Sequence, residues 1–114
     1  MRLALLLLSA ACVFAADWKI DYKVDKDAKA NFDTPLTIAI MDAKGAPVAG
    51  ANVEAVLTMV YMDHGEFKYP AKQVKPGIYQ ANSKFIMVGA WQIEVRAKKG
   101  SDLAAKKFRH EITR

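Results

Sequence analysis

Residues 59 to 64 read Met-Val-Tyr-Met-Asp-His and hold two of the chain's five methionines and one of its two histidines. Thioether sulfur is a soft ligand and imidazole a borderline one. The M-x-x-M-x-H spacing therefore gathers donors suited to Cu(I), not to Mg²⁺ or Ca²⁺, which take oxygen. Thioethers also need no deprotonation before they bind. Met59 falls on the same alternating face as Val53 and Leu57, and Met62 falls on the opposite face of a straight strand. The two converge only where the chain bends near Tyr61, and the polar run Asp63-His64-Gly65-Glu66 supplies such a bend. Asp63 and Glu66 stand close enough in sequence to hydrogen-bond a ligating imidazole. Each residue also has a plain structural reading: Met59 as core filler, Met62 as a loop-edge side chain, His64 as a surface histidine.

Met87 precedes Gly89 and Trp91 at a turn; as a core residue it would lie beside Phe85. Trp91 reads as a core anchor, with an aromatic face over a bound cation as the sharper alternative. His110, between Phe108 and Ile112, reads as structural. Catalytic chemistry finds little support. Ser83 and Ser101 lack a nucleophile-elbow context, and there is no Gly-rich phosphate loop, CxxC or HExxH. The chain is expected not to be an enzyme.

The elements that position these residues begin after a targeting segment. Arg2 forms a short basic start, Leu3 to Phe14 an apolar core, and Ala15 and Ala16 small residues suited to cleavage, so residues 1–16 read as a secretory signal peptide. The apolar run is shorter than the roughly 20 residues of a membrane span. The one cysteine, Cys12, lies inside the signal. Ser9-Ala10-Ala11-Cys12 faintly resembles a lipoprotein site, with Ser9 where an apolar residue is usual. Ordinary cleavage leaves a periplasmic or secreted chain without disulfide or thiolate chemistry and without a stable membrane anchor.

Residues 17–114 suffice for one small domain with a real core. The chain carries 17 basic against 12 acidic residues, a net +5 that becomes +4 once Arg2 is removed. The charges are interspersed, with the densest basic cluster at Lys106, Lys107 and Arg109, so nucleic acid is not an expected partner.

Period-two alternation runs through the mature chain. Trp18, Ile20, Tyr22 and Val24 share one face, as do Leu36, Ile38 and Ile40, then Val53, Ala55, Leu57, Met59 and Tyr61. The segments 67–74, 78–85 and 86–97 and the closing Lys106 to Ile112 complete about seven short strands separated by Gly, Pro and polar turns. That list predicts an all-β, antiparallel, immunoglobulin-like β-sandwich. Its core is expected to include Trp18, Ile38, Leu57, Tyr79, Trp91 and Val95.

"GAPVAGANVEAVLTMVYMDHG" (residues 45 to 65) followed by "KPGIYQANSKFIMVGAWQIEV" (residues 75 to 95) resembles the periplasmic YtkA-like/FixH-like domain family. The recurring pattern is G-x-P-V-x-G-A-x-V at a strand start, a Met- and His-bearing end to that strand, a P-G-x-Y-x-A hairpin, and M-x-G-x-W-x-I-x-V. The likeness covers residues 34–98. It implies a small β-sandwich outside the cytoplasm, often associated with copper. FixH-like members act in assembling copper-containing terminal oxidases. Small exported members accompany heavy-metal efflux systems, and the copper-resistance determinant proteins look nearest. FixH proteins normally keep a membrane anchor, which favours the soluble copper protein here. The expectation is a copper-binding protein linked to resistance or efflux, with Met59, Met62, His64 and Met87 as ligands and efflux-system or oxidase-assembly proteins as partners. The alternatives are an oxidase-assembly accessory domain and a metal-free interaction module.

Overall fold

Half-buried alternation becomes strand wherever it occurs, because side chains two apart share one face of a pleated backbone. In the computed structural model, which describes residues 14–113, the strands are β1 (Phe14–Ala15), β2 (Lys19–Val24), β3 (Asp33–Met41), β4 (Asn52–Met59), β5 (Phe67–Lys75), β6 (Ile78–Lys84), β7 (Gly89–Lys99) and β8 (Asp102–Ile112). Residues 1–13, which carry most of the expected signal peptide and Cys12, lie outside the described residues. Seven long strands are present, as the alternation predicts, with the two-residue β1 added before them.

All eight strands join one ladder in the order β1-β8-β7-β4-β5-β6-β3-β2. Every pairing is antiparallel except β1 with β8. The sequence leads one to expect two separate facing sheets. Instead the β4–β5 rungs, Val53 opposite Ala71 through Leu57 opposite Phe67, carry the ladder across without a break. The sheet curls until its two ends meet, making a nearly closed, barrel-like wrap. Tyr22 of β2 stacks on Phe108 of β8 with ring centroids 4.6 Å apart, and its hydroxyl donates to the Arg109 carbonyl at 3.2 Å.

The concave face is the core. Leu36, Ile38 and Ile40, Ala55 and Leu57, and Trp91, Ile93 and Val95 are all fully buried there, together with Tyr79. Trp18 departs from expectation. It is only half-buried, because β2 is the end strand of the ladder and Trp18 lies just before it, on the wall of a cleft at the seam. Val56 departs the other way. Its parity is opposite to that of Leu57, yet it is buried, standing between Lys68 and Glu94 in the ladder. The same outer face carries Arg96, which gathers Glu54, Glu94 and Glu66 at 3.5, 2.9 and 4.0 Å.

Two features pin the loops around β6. The Tyr79 hydroxyl donates to the Val48 carbonyl at 2.7 Å and accepts from Ala51 N–H at 3.0 Å, tying the β3–β4 loop to β6. Gly77 turns β5 into β6 with φ +78°, and a Cβ there would sit 2.6 Å from Pro47 Cβ, so both the conformation and the space demand glycine.

Candidate functional site

Strand β4 runs out at Met59 because Val60 N–H makes the last cross-strand bond, 3.0 Å to the Ala90 carbonyl of β7. The chain then bends through residues 60–62. Tyr61 is thrown outward, 79% exposed, and passes toward β8, where Arg109 Nη2 donates to its hydroxyl at 2.8 Å and the guanidinium lies 5.4 Å from the ring centroid. Asp63 Oδ1 accepts from Gly65 N–H at 3.0 Å, closing a local turn before β5.

This bend is the one that the Met59 and Met62 spacing requires. Met59 is half-buried and packs against the core, whereas Met62 is exposed. Both line a shallow depression of about 470 Å³ at the end of β4 together with Thr58, Tyr61, Asp63 and Glu66. His64 stands on the same loop, exposed, but outside that lining. Met87 belongs to the neighbouring loop and is also exposed. That loop is held by the core: the Trp91 indole N–H donates to the Met87 carbonyl at 2.9 Å. Gly89 adjoins it with φ +140°, and a Cβ there would lie 3.2 Å from Met59 Cε. The Met59 methyl therefore rests against the backbone two residues beyond Met87.

The structure thus brings Met59 and Met62 to one depression and Met59 to the Met87 loop, and it leaves His64 on the rim. Asp63 and Glu66 are engaged elsewhere, with Gly65 and Arg96, and not with the imidazole. Among the described residues no three His, Cys, Asp or Glu side chains are grouped to hold a metal. Any soft cation bound at this end would rest first on thioethers.

His110 carries chemistry that its place between Phe108 and Ile112 hides. It sits opposite Trp91 in the β7–β8 register, and Trp91 sits opposite Met59, so the three form one inward-facing row. The Nδ1 atom lies 3.1 Å from the Tyr22 hydroxyl, and the ring stands 6.1 Å from that of Phe85. Removal from water pushes the His110 pKa below its ordinary value, with the nearby Glu111 carboxylate opposing the shift. Burial likewise raises that of the Tyr22 phenol.

A family model described as YtkA-like matches residues 13–96, most of the chain, and the chain belongs to that family. No curated protein matches it significantly. Among solved structures, the crystal structure of MtrC from Shewanella baltica is similar at a TM-score of 0.53 and 12% identity. That likeness covers 82% of this chain and 22% of MtrC, so it speaks for the fold alone; the chain spans less than a quarter of that protein's length.

Proposed function

We propose that this YtkA-like domain handles copper outside the cytoplasm, binding Cu(I) through Met62 and His64 with Met59 or Met87. One observation carries the reading. The Met59 methyl lies against Gly89, so a half-buried thioether and two exposed ones surround adjoining loops at one end of the wrap. Soft sulfur favours a soft, monovalent ion, and no proton competes for it. A shallow, open site suits an ion that is to be handed on. Export through cleavage after Ala15 or Ala16, and kinship with small copper-resistance proteins that accompany efflux systems, belong to the same proposal. The immunoglobulin-like reading of the fold is supported by strand order: β2-β3-β6-β5 and β4-β7-β8 follow the two sheets of a constant-type immunoglobulin domain.

A second reading draws on the apolar rim at the same end. Phe32, Tyr61, Met62 and Val88 are all exposed there, as expected of a surface that meets protein. This reading makes the chain a FixH-like accessory domain for copper-oxidase assembly. Titration of the purified protein with Cu(I) against a competing chelator separates the two. Stoichiometric binding that the chelator does not outcompete at equimolar concentration supports the first. No binding leaves protein recognition, or a metal-free module, as the function.

A further inference from the structure

By parity Tyr61 should follow Leu57 and Met59 onto the core face, but β4 has ended before it. Val60 N–H makes the last bond to β7, and the chain bends at residues 60–62. Tyr61 turns outward instead. In the ladder Thr58 stands opposite Gln92, and Gln92 opposite Arg109, so these three form a row on the outer face of β4, β7 and β8. Tyr61 reaches from the end of β4 past β7 to Arg109. There Arg109 Nη2 donates to the phenol oxygen at 2.8 Å, and the guanidinium carbon lies 5.4 Å from the ring centroid.

The two ends of this clasp are unequal. Arg109 belongs to a long strand, and its carbonyl is fixed by the Tyr22 hydroxyl. Tyr61 lies on a bend beyond the last ladder bond of β4 and is 79% exposed. A clasp from a strand to a bend restrains the bend. Among the described residues Arg109 forms no ion pair, so no carboxylate competes with Tyr61 for its guanidinium. Contacts this exposed contribute little to stability. Their effect falls on the arrangement of the chain between Met59 and Met62. Met59 is already held, packed against the core with its methyl close to Gly89. Met62 is 51% exposed and shares the depression with Met59 and Tyr61. The direction in which the chain reaches Met62 is set by Tyr61, its neighbour in sequence.

We propose that Arg109 is a positioning residue for Met62 and acts through Tyr61. The clasp fixes the bend so that Met62 stays at the depression that Met59 lines. Its effect on affinity rests on the reading of that depression as a Cu(I) site; its effect on Met62 itself does not.

The test uses the full chain with its methionine methyls labelled, and Cu(I) as the probe against a competing chelator. Tyr61→Phe keeps the ring and removes the hydrogen bond; Arg109→Gln removes the guanidinium. In the metal-free protein each should move the Met62 methyl resonance toward that of free methionine. The methyl of Met41, exposed at the opposite end of the wrap, should stay where it is. Where loss of the clasp cuts the population of the competent loop to about one fifth, Cu(I) affinity falls about fivefold. The melting temperature should change little, which separates positioning from loss of fold. Because this loss runs through Met62, Tyr61→Phe in a Met62→Leu background should change affinity by less than about twofold. Absence of Cu(I) binding by the unaltered protein would sink the copper reading and leave the methyl resonances to decide the clasp. A Met62 methyl that stays put in both variants, or an undiminished loss of affinity in the Met62→Leu background, would overturn the proposal.

Discussion

The hydroxyl of Tyr22 lies 3.1 Å from Nδ1 of His110 and joins β2, one end of the ladder, to β8, the last long strand at its other end, in a sheet whose ladder does not close. The same oxygen reaches the Arg109 carbonyl, and the ring stacks on Phe108. Replacing Tyr22 with Phe keeps the stacking and removes the bridge. The part-buried His110 Nδ1 then loses its partner, as does the exposed Arg109 carbonyl, which should cost about 1 kcal/mol of stability. Urea denaturation of the two proteins checks this. An unchanged midpoint would mean that the edges are held by apolar contact alone.

The pH dependence of stability follows from His110. Its pKa in the folded chain is depressed by desolvation, so the unfolded chain binds a proton more readily. The neutral ring therefore stabilises the fold fully above the unfolded value of about 6.5, and that contribution is lost as pH falls through the window down to the folded pKa. Stability should decline on acidification below about pH 6.5, and His110→Gln, which keeps a polar group but does not titrate, should flatten that part of the curve. Thermal melts from pH 7.5 to 5 read the effect directly.

Gly77 combines a positive φ with a Cβ position 2.6 Å from Pro47 and 3.0 Å from the Ile40 carbonyl. Alanine there meets strain and a backbone clash together, and it should destabilise by about 1–3 kcal/mol. Gly45, also at positive φ but with no atom near its Cβ position, is the internal control and should lose less on the same change. Equal losses at the two sites would show that conformation alone matters.

Trp91 is fully buried among Phe67 and Phe85, with edge-on ring contacts at 6.2 and 5.4 Å, and its indole holds the Met87 carbonyl. Trp91→Ala should cost about 3–5 kcal/mol. A loss under about 1 kcal/mol would contradict its place in the core.

Strand positions were legible because the wrap has one wet face and one dry one, so Leu36-Ile38-Ile40 and Trp91-Ile93-Val95 declare themselves by parity. The first part of β8 was not. Leu103, Ala104 and Ala105 carry weak alternation beside a Gly-Ser turn, and their strand state comes from pairing with Lys98, Ala97 and Arg96. Val56 was hidden for a related reason: burial on the convex face depends on neighbours that no local pattern encodes. At the candidate site, the spacing of Met59 and Met62 revealed the bend. It could not reveal that Glu66 is held by Arg96, or that Tyr22, 88 positions away, partners His110. The first is made across β4 in mid-sheet, and the second depends on how the sheet ends meet.

The opening methionines yield the sharpest test of function. Met62 is exposed and Met59 half-buried around one depression, and His64 is on its rim. Met62→Leu removes sulfur at near-constant volume, so stability should change by less than about 1.5 kcal/mol. Cu(I) affinity should fall at both pH 7.5 and 5.5, because a thioether has no proton to gain. An imidazole that holds metal must stay neutral, so acid competes with the metal at His64 and not at the thioethers. The unaltered protein should therefore lose part of its affinity over that range, and His64→Ala should lower affinity and remove most of the pH dependence. Chelator competition at the two pH values measures all three proteins. Affinities that stay within about twofold in both variants would leave residues 59 to 64 as a strand end and a polar loop, since a lost ligand costs well over the 0.4 kcal/mol that a twofold change represents.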